Sequence, residues 1–253
     1  MISVLIKTLN PDLIKNHAKT VILIWLLCIF GPISGIMFGL FLIMGSYTII
    51  DLGLSVRDAL LIDAFLSIIY FLQHSIVVRR GFKQRLGKFI PSIYHNAFYG
   101  LTSIITLILV LAFWQKTPAV IGRVEGIIFW LICVSFCLCL AGFLWGVLSL
   151  GSFDALGVKP LMLYISNKQE KPQQIVAKGP YRWVRHPLYF FLIILIWSYP
   201  VLTPDRLLFN VIWSLWIVIG TYLEDRDLHH EFGSQYSKYS SQVPMLIPYR
   251  IPK

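Results

Sequence analysis

Lys178 to Tyr189 reads K-G-P-Y-R-W-V-R-H-P-L-Y, and Pro187 opens a run of seventeen almost wholly apolar residues that ends at Thr203. Proline suits the first position of a helix, because its missing N–H would find no partner there and its φ is already helical. The pattern predicts a helix entering a membrane at Pro187, with Arg182, Arg185 and His186 held at its water-facing mouth. At such a mouth, side-chain cations and the positive end of the helix dipole favour an anionic or zwitterionic ligand.

Outward from this stretch the chain is apolar at membrane length. Of its 253 residues 57% are hydrophobic and 13% charged, with a mean hydropathy of +0.72, which excludes an ordinary soluble domain. The expected fold is an all-α polytopic integral membrane bundle of about six spans. These are Val21 to Tyr47, Ala59 to Val78, Ala97 to Trp114, Gly126 to Leu150, Pro187 to Thr203 and Leu207 to Tyr222. The last two are short and separated by Pro204, Asp205 and Arg206, which predicts a tight helical hairpin followed by a cytoplasmic C-terminal helix and tail. The first apolar run is roughly twice the length of a secretory signal and no small-residue cleavage site follows, so it is expected to remain as an anchor. Asn10-Pro11-Asp12 reads as the cap and first turn of a short helix before the membrane.

The formal charge of +10 lies in the loops between spans. With the N-terminus inside, 18 Lys and Arg residues fall on the cytoplasmic side and 4 on the other, so both termini are expected in the cytoplasm, the membrane being the plasma membrane if the host is a bacterium. That distribution reads as orientation against anionic lipid, with no nucleic acid partner. Cys28, Cys133, Cys137 and Cys139 sit inside apolar spans and read as small packing residues, with no metal site expected. Gly31, Gly35 and Gly39 beside Pro32 predict close helix approach and a kink, and Gly142 and Gly146 predict a second close approach.

Two stretches carry polar residues where the membrane makes them costly. Asp63, Ser67, Tyr70 and His74 fall at i, i+4, i+7 and i+11, within about 40° of one another on a helix, and form one polar stripe. Such a stripe marks either a functional cavity or hydrogen-bonded helix glue, and the sequence leaves both readings open. Tyr222 to Gly233 reads Y-L-E-D-R-D-L-H-H-E-F-G, a helix that leaves the membrane and stops at Gly233, placing Glu224 where it is expected to meet His186. Arg79 to Lys88, with Phe82, Leu86 and Phe89 at helical spacing, predicts a short helix on the membrane surface. Leu150 to Lys178 is expected to form a partly ordered lid, and Tyr236 to Tyr249 an amphipathic flap over the same mouth.

A His/Arg/Tyr cluster facing a Glu/Asp pair suits a zwitterion, and spacing alone does not choose among charged cofactors. There is no G-x-G-x-x-G or P-loop pattern. However, G-P-Y-R-W-V-R-H-P-L-Y followed by L-E-D-R-D-L-x-x-E-F-G-x-x-Y-x-x-Y-x-x-x-V-P-x-L-I-P resembles the membrane methyltransferase superfamily of isoprenylcysteine carboxyl methyltransferases and phospholipid methyltransferases. F-L-Q-H-S-I-V-V-R-R-G-F-K (Phe71 to Lys83), F-W-Q (Phe113 to Gln115) and the ending V-P-M-L-I-P are similar to bacterial methanethiol S-methyltransferases and NnrU-like proteins.

The resemblance implies an S-adenosylmethionine site using Gln173, Val176, Tyr181, His186, Pro187, Leu188, Tyr189 and Glu224. It also implies a division into a four-span membrane region, 1–150, and a cofactor-binding region, 151–253. His74 and Arg185 are the catalytic candidates, His74 as base or orienting group, and the expected acceptor is a small-molecule thiol. Three positions depart from the superfamily pattern. Phe191 stands where glycine is common and is expected to narrow the space beside the cofactor, Asp225 replaces a second Glu, and Ser240 replaces a basic residue. Gly220 stands where the prenylcysteine enzymes carry a substrate-carboxylate arginine, which disfavours a carboxylate acceptor. A lipid or isoprenylcysteine-type acceptor, an NADPH-dependent membrane reductase of related fold, and a ligand sensor without turnover are the competing readings.

Overall fold

The computed structural model describes residue 8, residues 11–151, residues 154–169, residue 175 and residues 177–250. In order, the elements are α1 (Pro11–Met44), α2 (Val56–Val77), α3 (Arg80–Leu86), a 3-10 turn (Ser92–Tyr94), α4 (His95–Phe113), β1 (Gly122–Arg123), α5 (Gly126–Ser149), α6 (Val158–Ile165), a second 3-10 turn (Gly179–Arg182), α7 (Pro187–Trp197), β2 (Val201–Leu202), α8 (Pro204–Phe232) and α9 (Ser234–Gln242). Helices α1, α2, α4, α5 and α8 are long and apolar enough to cross a membrane. Helix α7 begins at Pro187 as its sequence requires, but its 11 residues rise about 16 Å, roughly half of a hydrocarbon core about 30 Å thick. The chain is an all-α, multi-pass membrane protein.

The two-helix hairpin is present with unequal arms, and its turn lies earlier than the charged residues indicate. Thr203 caps α8, its side chain accepting the Arg206 N–H, and Pro204 takes the first helical position. The connection is therefore Ser198 to Thr203, stitched by β2 to β1 in an antiparallel pair with the Ile121 N–H donating to the Leu202 carbonyl at 2.8 Å. Asp205 and Arg206 read as turn residues because they are charged, yet they are 0% and 1% exposed. Arg206 donates to the carbonyls of Phe41 (2.8 Å) and Ile196 (3.2 Å), groups that the ends of α1 and α7 leave without helical partners. Its guanidinium also lies 5.1–5.4 Å from the ring centroids of Phe41, Tyr199 and Phe209. Asp205 accepts the Thr117 N–H (3.0 Å) and hydroxyl (2.5 Å) and the Trp114 indole N–H (3.3 Å). One turn of α8 thus fastens α1, α7 and the end of α4.

The F-W-Q stretch belongs to this same end. Trp114 is fully buried, and Gln115 donates from its side chain to the Ile50 carbonyl and from its backbone to Asp63. The aromatic core above it gathers Phe41, Phe71, Phe209 and Trp213. Helix α5 stands on the rim, with only Cys139 and Gly146 buried, and meets α7 through two notches. A Cβ on Gly142 would lie 2.5 Å from the Phe191 ring, and one on Gly146 would lie 2.7 Å from the Leu188 side chain.

Other expectations shift. The irregularity in α1 is at His17 (φ −134°, ψ 34°), whose ring meets Tyr164 of α6, and not at Pro32. Gly31 accommodates the Leu156 side chain, whereas Gly35 and Gly39 meet nothing within 4 Å. Helix α6 buries Val158, Leu161 and Ile165 against α1 and α4, so the described helix of the long 150–178 segment is fixed to the bundle wall. The expected cap at Asn10 lies outside the described residues. Helix α3 buries no residue and leaves Phe89, just beyond it, 85% exposed, as a surface helix would.

Arg206→Leu should destabilise the protein by about 3 kcal/mol or more, because it strands buried carbonyls and removes the charge beside Asp205. Thermal unfolding in detergent checks this, with exposed Arg123→Leu as a control that moves the midpoint little.

Candidate active site

The opposite, basic end of the bundle assembles three segments that are remote in sequence. The second 3-10 turn and the start of α7 bring Tyr181, Arg185, His186 and Tyr189; the end of α8 brings Glu224 and Asp225; and α9 with the tail closes over them. Asp225 is the hub. Its carboxylate receives both Nε and Nη2 of Arg185 at 2.8 Å, the Tyr236 hydroxyl at 2.6 Å, and lies 3.2 Å from His186 Nε2. Arg185 Nη1 donates to the carbonyls of Ser240 (3.0 Å) and Val243 (2.7 Å), so four of its five N–H donors are used inside the protein.

The tail fixes the backbone of the same loop. The N–H groups of Arg185 and His186 donate to the carbonyls of Pro244 (2.8 Å) and Met245 (3.1 Å), and the Tyr239 hydroxyl donates to the Tyr181 carbonyl (2.6 Å). The V-P-M stretch acts through these carbonyls, which is why a proline, lacking a donor, is suitable there. Burial raises the pKa of the Tyr236 hydroxyl above its ordinary value, and its bond to Asp225 raises it further, so it stays a donor. Burial likewise raises Tyr239.

Glu224 has a different neighbour from the one expected. It accepts the Tyr189 hydroxyl at 2.6 Å, while Asp225 and not Glu224 meets His186. Adjacent residues on a helix point about 100° apart, so the two carboxylates of the E-D pair serve different partners. The His186 and Tyr189 rings stack, with centroids 5.8 Å apart and planes at 16°. Burial raises the Tyr181 hydroxyl pKa, and the nearby Glu224 charge adds to it.

Helix α2 closes the far wall. His74 Nε2 lies 2.8 Å from the Tyr99 hydroxyl and Nδ1 lies 3.3 Å from the Ser103 hydroxyl, both on α4. Tyr70 lies beside His74, with ring centroids 5.3 Å apart. The polar stripe of α2 therefore divides. Asp63 and Ser67 are helix glue, holding the Gln115 N–H and the Trp213 indole, whereas Tyr70 stacks on Trp213 and His74 meets Tyr99 and Ser103 of α4. Gln73, next to His74, ties α2 to Thr102 and Thr106 of α4.

Of the sequence-derived set, Tyr181, His186, Tyr189 and Glu224 come together. Pro187 opens α7, Leu188 faces the Gly146 notch, and Gln173 and Val176 lie outside the described residues. Phe191 seats its ring in the Gly142 notch on α5 and so fills space between helices. Tyr99 was not singled out, and Tyr236 and Tyr239 were read only as part of the flap. A signal for Tyr99 existed: Tyr99, Thr102, Ser103 and Thr106 form a second polar stripe at i, i+3, i+4 and i+7. Asp225→Ala should strand Arg185, His186 and Tyr236 and cost about 3 kcal/mol. It should also speed amide exchange across residues 234–250, measured by mass spectrometry, without a matching change in α1.

A family profile described as phospholipid methyltransferase matches residues 129–235, which cover α5 to α8 and the Asp225 hub. The methanethiol S-methyltransferase of Crocosphaera subtropica is 33% identical over 196 residues, covering 77% of this chain and 77% of that protein. Methanethiol S-methyltransferase 1 of Bradyrhizobium diazoefficiens is 31% identical over 201 residues, covering 78% and 69%. The Mycobacterium tuberculosis methanethiol S-methyltransferase is 29% identical over 198 residues, covering 77% and 80%. No solved structure matches. A membrane bundle that joins the R-H-P-L-Y turn to the E-D helix end, with this extent of similarity, is a membrane methyltransferase, and the chain belongs to the family that includes these methanethiol S-methyltransferases.

Proposed function

We propose that this protein moves the methyl group of S-adenosylmethionine to the sulfur of a small neutral thiol, methanethiol in the simplest case, and releases dimethyl sulfide. The observation that carries this reading is the Tyr189–Glu224 pair, a carboxylate with aromatic faces beside it, and the His74–Tyr99 pair supplies a base candidate. The residues present fit a sulfonium donor, because a carboxylate and aromatic rings attract a cation. When bound, S-adenosylmethionine supplies an electrophilic methyl group on a positive sulfur. Glu224, Tyr181 and Tyr189 hold that positive centre, and Arg185 acts as a positioning residue, since its donors are committed to Asp225 and the tail.

A simple alkyl thiol is only about one per cent ionised at neutral pH, so a base assists the step. The thiol proton passes to His74 through Tyr99, which gives its own hydroxyl proton to the imidazole and takes the one from sulfur. The electron pair left on the thiol sulfur would form the new carbon–sulfur bond as the donor's methyl–sulfonium bond breaks, that bond's electrons staying on the donor sulfur, which would leave as a neutral thioether, and positioning supplies much of the rate. The acceptor is neutral because α8 carries no Lys or Arg between Arg206 and Glu224, and Arg206 is engaged at the other end. Residues 151–253 form the donor-binding region in this reading, with the basic end and both termini cytoplasmic, in keeping with 18 Lys and Arg residues against 4.

Protein incubated with methyl-labelled S-adenosylmethionine and methanethiol should release labelled dimethyl sulfide into the headspace. Glu224→Ala should weaken donor binding and cut turnover by about a hundredfold, whereas His74→Ala should lower kcat by about 10²-fold and leave donor affinity in place. Unchanged thiol turnover in His74→Ala from pH 6 to 9 removes the relay; label found only in extracted lipid removes the thiol.

A further inference from the structure

A second polar cleft of about 360 Å³ opens at the basic end, lined by Arg79, Arg80, Gly81, Arg226, Asp227 and His230. It is separate from the methyl-transfer site. On α8, residues 226, 227 and 230 lie about 100–200° round the helix from Asp225, so the cleft faces outward where Asp225 faces inward. Three guanidiniums meet two carboxylates there. Arg79 is bonded to Asp227 and to the Leu223 carbonyl, and Arg80 lies 3.4 Å from Glu231 with both side chains exposed. The carboxylate near Arg226 is again Asp227, at 3.9 Å and already engaged by Arg79. The balance is positive before His230 is counted, and this charge is presented by two separate chain segments with space between them.

The surface below the cleft identifies the anion's source. Leu215, Ile219 and Tyr222 stand at i−11, i−7 and i−4 from Arg226, on the same helical face, and are 59%, 47% and 63% exposed. An apolar stripe of a spanning helix thus runs directly up to the guanidinium. Beyond α3, whose first turn lines the cleft, Phe89 is 85% exposed next to Lys88 in the chain, as expected of a segment seated among headgroups. A soluble anion needs no such stripe, whereas an acyl chain does. We propose that the cleft binds the phosphate headgroup of an anionic phospholipid in the leaflet at the basic end, with its chains along Leu215, Ile219 and Tyr222. Basic recesses between helix ends are suited to such headgroups, because a phosphate accepts charge-assisted bonds from several donors at once.

The inference is independent of the methyl acceptor and is tested on the full chain without turnover. Purified protein is placed in nanodiscs of phosphatidylcholine alone, or of phosphatidylcholine with phosphatidylglycerol, and separately in detergent with inorganic phosphate. Phosphatidylglycerol should raise the unfolding midpoint by several degrees and remain bound in native mass spectra, while inorganic phosphate does neither. Arg80→Gln/Arg226→Gln should lose both effects while keeping the wild-type midpoint in phosphatidylcholine. Arg80→Gln alone, at a side chain 60% exposed, should lose part of them and serves if the double variant is unstable. An equal shift with inorganic phosphate would overturn the lipid assignment in favour of a free-anion site. A phosphatidylglycerol effect that persists in both variants, or no effect in the wild type, would overturn the cleft as its location.

Discussion

The carboxylate of Asp225 gathers a bidentate arginine, a histidine and a tyrosine in a space where each side chain is largely shielded from water. Removing a charge from water is costly, and the cost is met only when every partner is in place. That requirement gives the basic end its geometry. Arg185 can satisfy Asp225 only if the loop before α7 lies against the end of α8, and its remaining donors find acceptors only if the tail folds back to present Ser240 and Val243. Once those hold, Glu224, one residue earlier and turned a quarter of the way round the helix, is delivered to Tyr189. The two neighbouring carboxylates thereby take different partners.

Helix α8 repeats this economy at its other end. Asp205 and Arg206 are also adjacent and buried, and they also take their partners from different elements. At one end the pair closes off helix termini and the F-W-Q segment; at the other the pair separates architecture from chemistry. A membrane leaves no water to satisfy spare donors and acceptors, so charge inside it is found where it joins elements. The length of α8 then sets the distance between the two junctions, and the other helices are hung between them.

Much of this was legible in the chain itself. Apolar run length revealed the five long helices but overstated α7, whereas Pro187 marked the start of α7 and Gly233 the end of α8, because these depend on local rules that a single segment obeys alone. The readings that moved depend on partners. Asp205 and Arg206 looked like a turn because nothing in their own segment tells of Thr117 or of the Phe41 carbonyl. Glu224 and Asp225 were interchangeable until the direction of each side chain was known. His74 was recognisable as polar within a membrane, but its role needed Tyr99 from another helix. The different partners along the α2 stripe follow from what each level of the bundle places opposite it.

The notch between α5 and α7 has a consequence for how this chain can vary. The Phe191 ring fills the space that the absent side chain at Gly142 leaves across the interface. The two positions hold one ring between them. A side chain added at 142 has no room until 191 shrinks, and a glycine at 191 leaves a void until 142 grows, so neither substitution is neutral by itself. Drift along this seam must therefore proceed by paired exchange, and chimaeras that cross it would inherit either a collision or a hole.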